Sequence, residues 1–275
     1  VIALPRATPD PRPSSFLIFL GTGGGRFATF RQARATGGLW FQTRDGAVHL
    51  DPGPGALIRA LKAGLEPRNL SAIVLSHRHL DHCADINVMI EAMTNGGFER
   101  HGVVYAPADA LGGDDPVVLR YCRNYLDDVR PLVAAQSISV GDLTINPMVS
   151  YLHGGVETFR FLVEYGGRRL ALFVDGAGFQ GADFATNADI LVAYVVMKDP
   201  NPEIDHLSLN EVQELVRLAC PKTLVLTHFG MNFLRRKPWE IATQLTTEWG
   251  LPVIAAWDNM VVDLSTFTIS RRAAS

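Results

Sequence analysis

The sequence predicts an α/β fold of mixed β-sheets covered by helices, and three observations carry that expectation. Apolar runs of strand length alternate with stretches of helical periodicity, most plainly 72–76 followed by 84–94, and 189–196 followed by 208–219 and 222–227. Two stretches echo each other: Leu70-Ser71-Ala72-Ile73-Val74-Leu75-Ser76-His77 and Pro221-Lys222-Thr223-Leu224-Val225-Leu226-Thr227-His228. Each is a β-prone run that ends in a hydroxyl residue and then a histidine. A further echo pairs Val48-His49-Leu50-Asp51-Pro52-Gly53 with Leu172-Phe173-Val174-Asp175-Gly176, a strand, an aspartate and a glycine-bearing turn. Two related halves, each delivering an aspartate and a histidine to a common edge, suit a metal site between two sheets.

Taken in order, the chain opens with Pro5, Pro9, Pro11 and Pro13, which predict an extended segment over 1–15 without the continuous apolar core of a signal peptide. No break in composition marks a linker beyond it, so 16–275 reads as one domain. Ile86, Val88, Met89, Ile90 and Met93 give the helix at 84–94 its apolar face. Segments 132–139, 143–150, 158–165 and 170–174 read as a meander of shorter strands, with turns at Gly141 and Gly166-Gly167. The last helix is marked by a Ser208/Glu211 capping box and by Leu209, Val212, Leu215, Val216 and Ala219 on one side. Ile190 to Met197, the longest apolar run, has eight residues, against the ~20 that a membrane helix requires.

The densest chemistry is His77-Arg78-His79-Leu80-Asp81-His82, directly behind the apolar run Ala72 to Leu75. Three imidazoles and a carboxylate within six residues can present nitrogen and oxygen donors to one or two metal ions. Residues two apart in an extended segment face the same side, so His77 and His79 converge on one ion. Asp81 and His82 fall where the chain turns into the helix and face a second. His153, ahead of Gly154-Gly155, adds a donor at another strand end, whereas His49 and His101 lack such company and read as structural or exposed.

The order Asp51, His77-x-His79-x-Asp81-His82, His153, Asp175, His228 resembles the five-motif pattern of the metallo-β-lactamase superfamily, from Phe16 to Leu264. Phe19-Leu20-Gly21-Thr22-Gly23-Gly24, and His206 standing 22 residues before His228, look like its ribonuclease Z and phosphoribosyl cyclic phosphodiesterase branch. The resemblance implies a four-layer αββα sandwich. It implies that His77, His79 and His153 bind one zinc, that Asp81, His82 and His228 bind another, and that Asp175 bridges them. Asp51 would support the site from behind the ligands, orienting an imidazole. Asp81 and His206 are the expected catalytic side chains, His206 handling a proton at the leaving oxygen or a phosphoryl oxygen. Oxygen-reducing diiron relatives carry a glutamate where this chain has His79, which favours zinc; manganese or iron(II) stay open.

The function expected is therefore that of a zinc-dependent hydrolase with a metal pair that activates water. Gly21-Thr22-Gly23-Gly24-Gly25 offers backbone amides to an anion, and Arg26, Arg31 and Arg34 follow it as candidate substrate contacts, with Arg235, Arg236 and Lys237 behind His228. These favour a small anionic, phosphate-bearing ester and a phosphodiesterase. Net charge is −3, so no global field gathers a polyanion. Only 22 residues separate His153 from Asp175, where ribonuclease Z enzymes commonly insert a tRNA-gripping arm. A ribonuclease Z-like endonuclease ranks below the small ester for that reason. A carboxylic ester, lactone or thioester hydrolase and a metal-stabilised binding or regulatory protein also stay open. Cys83, Cys122 and Cys220 form no Cys-x-x-Cys pair, which points to a reducing, cytoplasmic setting, with Cys83 a buried spacer. The resemblance adds the expectation of a homodimer and gives no membrane partner.

Overall fold

The computed structural model describes residues 12–113 and 115–270, so most of the expected extended segment 1–15 lies outside the described residues. The first half of the chain forms β1 (Phe16–Gly21), α1 (Gly25–Arg31), β2 (Thr36–Gln42), β3 (Ala47–Leu50), α2 (Ala56–Lys62) and β4 (Leu70–Val74). It continues with α3 (Leu80–Cys83), α4 (Ile86–Met93), β5 (Val103–Ala106), α5 (Ala108–Leu111) and β6 (Asp128–Pro131). The second half forms β7 (Ile138–Val140), β8 (Leu143–His153), β9 (Val156–Tyr165), β10 (Arg168–Phe173), β11 (Ile190–Tyr194) and α6 (Leu209–Ala219). After β12 (Leu224–Thr227), α7 (Met231–Leu234), α8 (Pro238–Trp249) and β13 (Val253–Ala255), the chain returns to its first half with β14 (Met260–Asp263) and β15 (Ile269–Ser270).

One sheet has the order β15-β14-β1-β2-β3-β4-β5-β6 and the other β13-β12-β11-β10-β9-β8-β7. Strands β3 to β6 are parallel, as are β10 to β13, and the remaining pairs are antiparallel. Alternation along each strand splits its side chains between two apolar layers. Leu17 and Phe19 of β1, Leu170 and Leu172 of β10, and Val192 of β11 fill the space between the sheets. Ile18 and Leu20 face the other way, packing with Ala56 and Ala60 of α2 and Ile86, Met89 and Ile90 of α4. Ala171, Phe173, Leu191 and Ala193 likewise meet Leu209, Val212 and Leu215 of α6 and Leu245 of α8. Strands buried on both faces read as continuous apolar runs, which is why 72–75 and 190–195 looked as they did. The result is the expected four-layer αββα sandwich. Among the described residues no helix is long and apolar enough to cross a membrane.

One expectation is corrected. The segment 132–139 is strand only from Ile138; its earlier part is a turn that carries the chain from β6 in one sheet to β7 in the other. Its apolar character reflects Leu132 closing the end of the inter-sheet core, with Ala135 in the left-handed region at φ 64°. The helix expected at 84–94 is present as α4, and a turn at Ala84 and Asp85 separates it from α3: the Asp85 amide donates to the Pro52 carbonyl at 2.9 Å and its carboxylate accepts from the Leu57 amide at 3.2 Å. The capping box is as expected: the Ser208 hydroxyl accepts from the Glu211 amide at 3.3 Å, and the Glu211 carboxylate from the Ser208 amide at 2.8 Å.

His49 is structural. It is fully buried beside Trp40, its Nε2–H donates to the Gly37 carbonyl at 2.7 Å, and Nδ1 has no partner. A protonated ring would leave a buried N–H without an acceptor, and burial lowers its pKa to about 4, against the opposing pull of the Gly37 carbonyl and Asp51. A depressed folded-state pKa means that the unfolded chain takes up this proton first. The stability held by neutral His49 is therefore complete above pH ~6.5 and lost as pH falls toward 4. At about 1.4 kcal/mol per pKa unit the loss is roughly 3 kcal/mol. Urea unfolding of His49→Gln, which keeps a donor for Gly37, is expected to lack this component; parallel pH profiles for the two proteins would reject it.

Candidate metal centre

Parallel strands share a direction, so their C-terminal ends lie on one edge of each sheet, and both sheets offer that edge to the same place. Asp51 follows β3, Ser76 and His77 follow β4, Asp175 follows β10, Tyr194 ends β11, and His228 follows β12. The antiparallel β8 delivers His153 at its last residue. Backbone strain accompanies this convergence: Asp51 and His228 adopt left-handed φ values of 57° and 61°. Glycines make the close approaches feasible, since a Cβ at Gly24 would overlap the His228 ring and one at Gly53 the Asp81 carbonyl.

The side chains singled out in the sequence come together. Ligand atoms of His77, His79 and His153 form one group, all within 4.8 Å of one another, and those of Asp81, His82, Asp175 and His228 form a second. Asp175 also groups with His153 and His206 within the same distance. Its carboxylate lies 3.0 Å from His82 Nε2, 3.0 Å from His228 Nδ1, 3.5 Å from His206 Nδ1 and 3.8 Å from His77 Nε2. Asp175 is thus the hub between the groups.

These atoms are buried yet unsatisfied. His77 Nε2, His153 Nδ1, Asp175 Oδ1, His206 Nδ1 and His228 Nδ1 have no aligned hydrogen-bond partner, although some lie within ion-pair distance of each other. Dehydrated nitrogen and carboxylate donors aimed at one another are costly without a cation between them. The cluster therefore fits a dinuclear metal site, in which His77, His79 and His153 would hold one ion, Asp81, His82 and His228 the other, and Asp175 both.

Behind the donors stands a layer of groups that orient them. Asp51 Oδ2 accepts from His82 Nδ1 at 2.9 Å, leaving Nε2 to face the centre, while its carboxylate also takes the Ser76 amide and hydroxyl, each at 2.6 Å. The Ser76 hydroxyl lies 3.0 Å from His77 Nδ1, so His77 also turns Nε2 inward. Burial opposes charge on His82, but Asp51 and Asp81 outweigh it and raise its pKa well above the ordinary imidazole value. For His77 burial prevails, reinforced by His82, and lowers the pKa well below that value. Asp175, despite burial, is held well below the usual carboxylate range by His228 and His206. His206 is raised, Asp175 overcoming the effect of burial.

Some of the site was not anticipated. Asp205 accepts from the amides of Gly154 and Ala177, both at 2.9 Å, and sits 3.2 Å from His153 Nδ1. The sequence signal was its place beside His206. Tyr194 stacks on His228 at 5.1 Å, and nothing in its apolar run marked it out. The anion-binding expectation for the glycine run is corrected. The amides of Thr22, Gly23, Gly24 and Gly25 already donate to Asp258, the Ala35 carbonyl, the Phe229 carbonyl and Asp81. Gly24 leaves room for the His228 ring, while Gly21 and Gly23 let the backbone pass close to Ala35, Gly37 and Arg34. Arg26 and Arg31 are exposed on α1 and Arg34 is half-buried beyond it, none bonded to the donor cluster. Cys83 is buried, and burial pushes its thiol up to about 12, so it is the inert spacer expected.

The sequence profile of the beta-lactamase superfamily domain matches residues 47–229. An uncharacterised protein of Methanocaldococcus jannaschii is 31% identical over 256 residues, covering 90% of this chain and 94% of that one. A ribonuclease Z of Methanopyrus kandleri is 26% identical over 149 residues, 53% of this chain and 49% of the enzyme. Among solved structures, a diphosphatase from the PhnP family superposes with a TM-score of 0.67 at 20% identity, covering 90% of this chain and 96% of that one. The matched profile begins at β3 and ends one residue past His228, so that it encloses every donor of the cluster, and the chain belongs to the metallo-β-lactamase superfamily.

Proposed function

We propose that the chain is a zinc-dependent hydrolase, a phosphodiesterase acting on a small phosphate-bearing ester. The observation that carries this reading is the single buried carboxylate of Asp175 set between two groups of mainly imidazole donors, with His206 against it. Imidazole-rich sets suit zinc. Bound zinc would supply Lewis acidity, lowering the pKa of water to about 7 and stabilising charge on the reacting ester.

The protein's own groups do the rest. Asp51 holds the tautomer of His82, Ser76 supports His77, and Asp205 faces His153, so the donors are preorganised. His206 lies 4.6 Å ring to ring from His153, keeps 17% of its side chain open to solvent, and has its pKa raised, burial being outweighed by Asp175. It is placed to hold a proton at the mouth and pass it to a leaving oxygen. Exposed Arg26 and Arg31 lie on α1, whose first amide bonds Asp81 at 3.0 Å, and supply positive charge for a phosphoryl group at that rim. The diphosphatase and ribonuclease Z resemblances favour a phosphate ester. Between His153 and Asp175 the chain makes only β9 and β10 with two glycine turns, Gly154-Gly155 and Gly166-Gly167, which leaves no arm there for an RNA and favours the small substrate.

A second reading, a carboxylic ester, lactone or thioester hydrolase, is favoured by Leu80, 73% exposed between His79 and Asp81, and by Phe27 and Phe30 on α1 at 65% and 66%.

Metal analysis of untagged protein is expected to return two zinc ions per chain, and chelation to lower the unfolding temperature. At free zinc of 100 times Kd the stabilisation is about 2.7 kcal/mol per site. A chain that takes up no metal and gains no stability would sink the proposal. His206→Ala is expected to keep both ions and lose about 10² to 10⁴ in kcat on bis-p-nitrophenyl phosphate; an unchanged kcat removes His206 from the chemistry. On a panel of phosphodiesters, cyclic phosphates, thioesters and lactones, cleavage confined to the carboxyl compounds would transfer the assignment to the second reading.

A further inference from the structure

We propose that Arg160 is a positioning residue for the metal centre: its guanidinium gathers the carbonyls of Gly176, Gly178 and Gln180 and thereby seats the loop that carries Asp175 and anchors Asp205. The inference rests on the reading of the donor cluster as a metal centre.

Arg160 lies on β9 between Phe159 and Phe161, which point into the inter-sheet core, so it faces the opposite side of the sheet. Its side chain is wholly buried there. Among the described residues no carboxylate lies within ion-pair distance of it, an unusual state for a group that stays charged. Backbone dipoles and aromatic faces take the place of a counter-ion. Nη1 donates to the Gln180 carbonyl at 2.7 Å, and Nη2 to those of Gly176 and Gly178 at 3.3 and 3.1 Å. The guanidinium carbon sits 4.6 Å from the Tyr151 ring and 4.5 Å from the Phe173 ring.

Three carbonyls at alternate residues converge on one cation only because the loop is folded back at glycines with φ of 110° at Gly176 and 81° at Gly178. Desolvation makes each of these bonds costly to lose. Two connections lead from the gripped loop into the centre. Gly176 follows Asp175, whose carbonyl accepts from the Tyr151 hydroxyl, the same ring that stacks on Arg160. The Ala177 amide, between two gripped carbonyls, donates to Asp205 Oδ1 at 2.9 Å, and Asp205 Oδ2 faces His153 Nδ1 at 3.2 Å. One buried guanidinium thus bears on the shared carboxylate of Asp175 and on Asp205, which faces His153 and precedes His206.

Arg169 provides an internal control. It also clamps carbonyls, those of Thr186 and Phe184, both at 2.8 Å, but among the described residues neither of these two residues hydrogen-bonds to a donor of the cluster. The experiment compares the wild type with Arg160→Lys, Arg160→Met and Arg169→Met, each checked for folding by circular dichroism. Zinc affinity is measured by competition with a chromophoric chelator, and the visible spectrum is recorded after cobalt(II) replacement. Both Arg160 variants are expected to bind metal on the order of tenfold to a hundredfold more weakly and to show a shifted cobalt spectrum. Lysine, which keeps the charge but lacks the planar fork, should recover only part of the affinity, and Arg169→Met should match the wild type. Folded Arg160 variants with wild-type affinity and spectrum overturn the inference. Should neither Arg160 variant fold, Tyr151→Phe keeps the ring stack and deletes the bond to the Asp175 carbonyl; weakened binding there supports the inference and unchanged binding overturns it. A wild type that binds no metal is a different result, and it removes the proposed function together with this inference.

Discussion

The carboxylate of Asp175, 1% exposed and surrounded by four imidazoles, is the constraint around which the molecule is arranged. A charge taken out of water needs partners at close range, and here those partners come from β4, α3, the segment before α6 and the end of β12. No single sheet can supply them. The apolar layer between the two sheets brings their strand ends to one edge, so the core and the site are products of the same packing.

Around that hub the structure spends backbone strain and glycine where ordinary residues would be easier. Asp51 and His228 sit in left-handed conformations just past β3 in one sheet and β12 in the other. Each is held by its surroundings: Asp51 by Ser76 and His82, and His228 by Tyr194 stacked on its ring and by Gly24, whose missing side chain leaves room for the imidazole. Strain of this kind persists only where neighbours over-determine it. The two sides are supported differently. Asp51, with Ser76, orients the donors of the first sheet, whereas on the second sheet the Asp175 loop is tied down through its carbonyls by Arg160 and Tyr151 and through its Ala177 amide by Asp205.

Much of the site was legible because its donors lie in short patterns. His77, His79, Asp81 and His82 fall close together, the echo between 70–77 and 221–228 paired His77 with His228, and that between 48–53 and 172–176 paired Asp51 with Asp175 as matching strand ends. The αββα layering came from a family resemblance; alternation alone permitted several arrangements, since a strand buried on both faces has no polar face to reveal its neighbour. The segment 132–139 was misread for a related reason. Leu132 closes the inter-sheet core, but Val133, Ala134 and Ala135 are exposed in a turn, and an apolar run does not by itself show which of its residues are buried. Arg160 carried no signal at all, because an arginine inside a strand looks like any solvent-facing charge until its burial is seen.

By itself the sequence determined which atoms can bind metal and in what order the strands deliver them, because ligand chemistry and strand-end turns are local properties of a few consecutive residues. Tertiary structure alone decided that the amides of the glycine run are already committed within the protein, and that Asp205 and Arg160 belong to the site. Those are relations between segments up to 236 residues apart, and only the burial that joins the two sheets brings them within bonding distance.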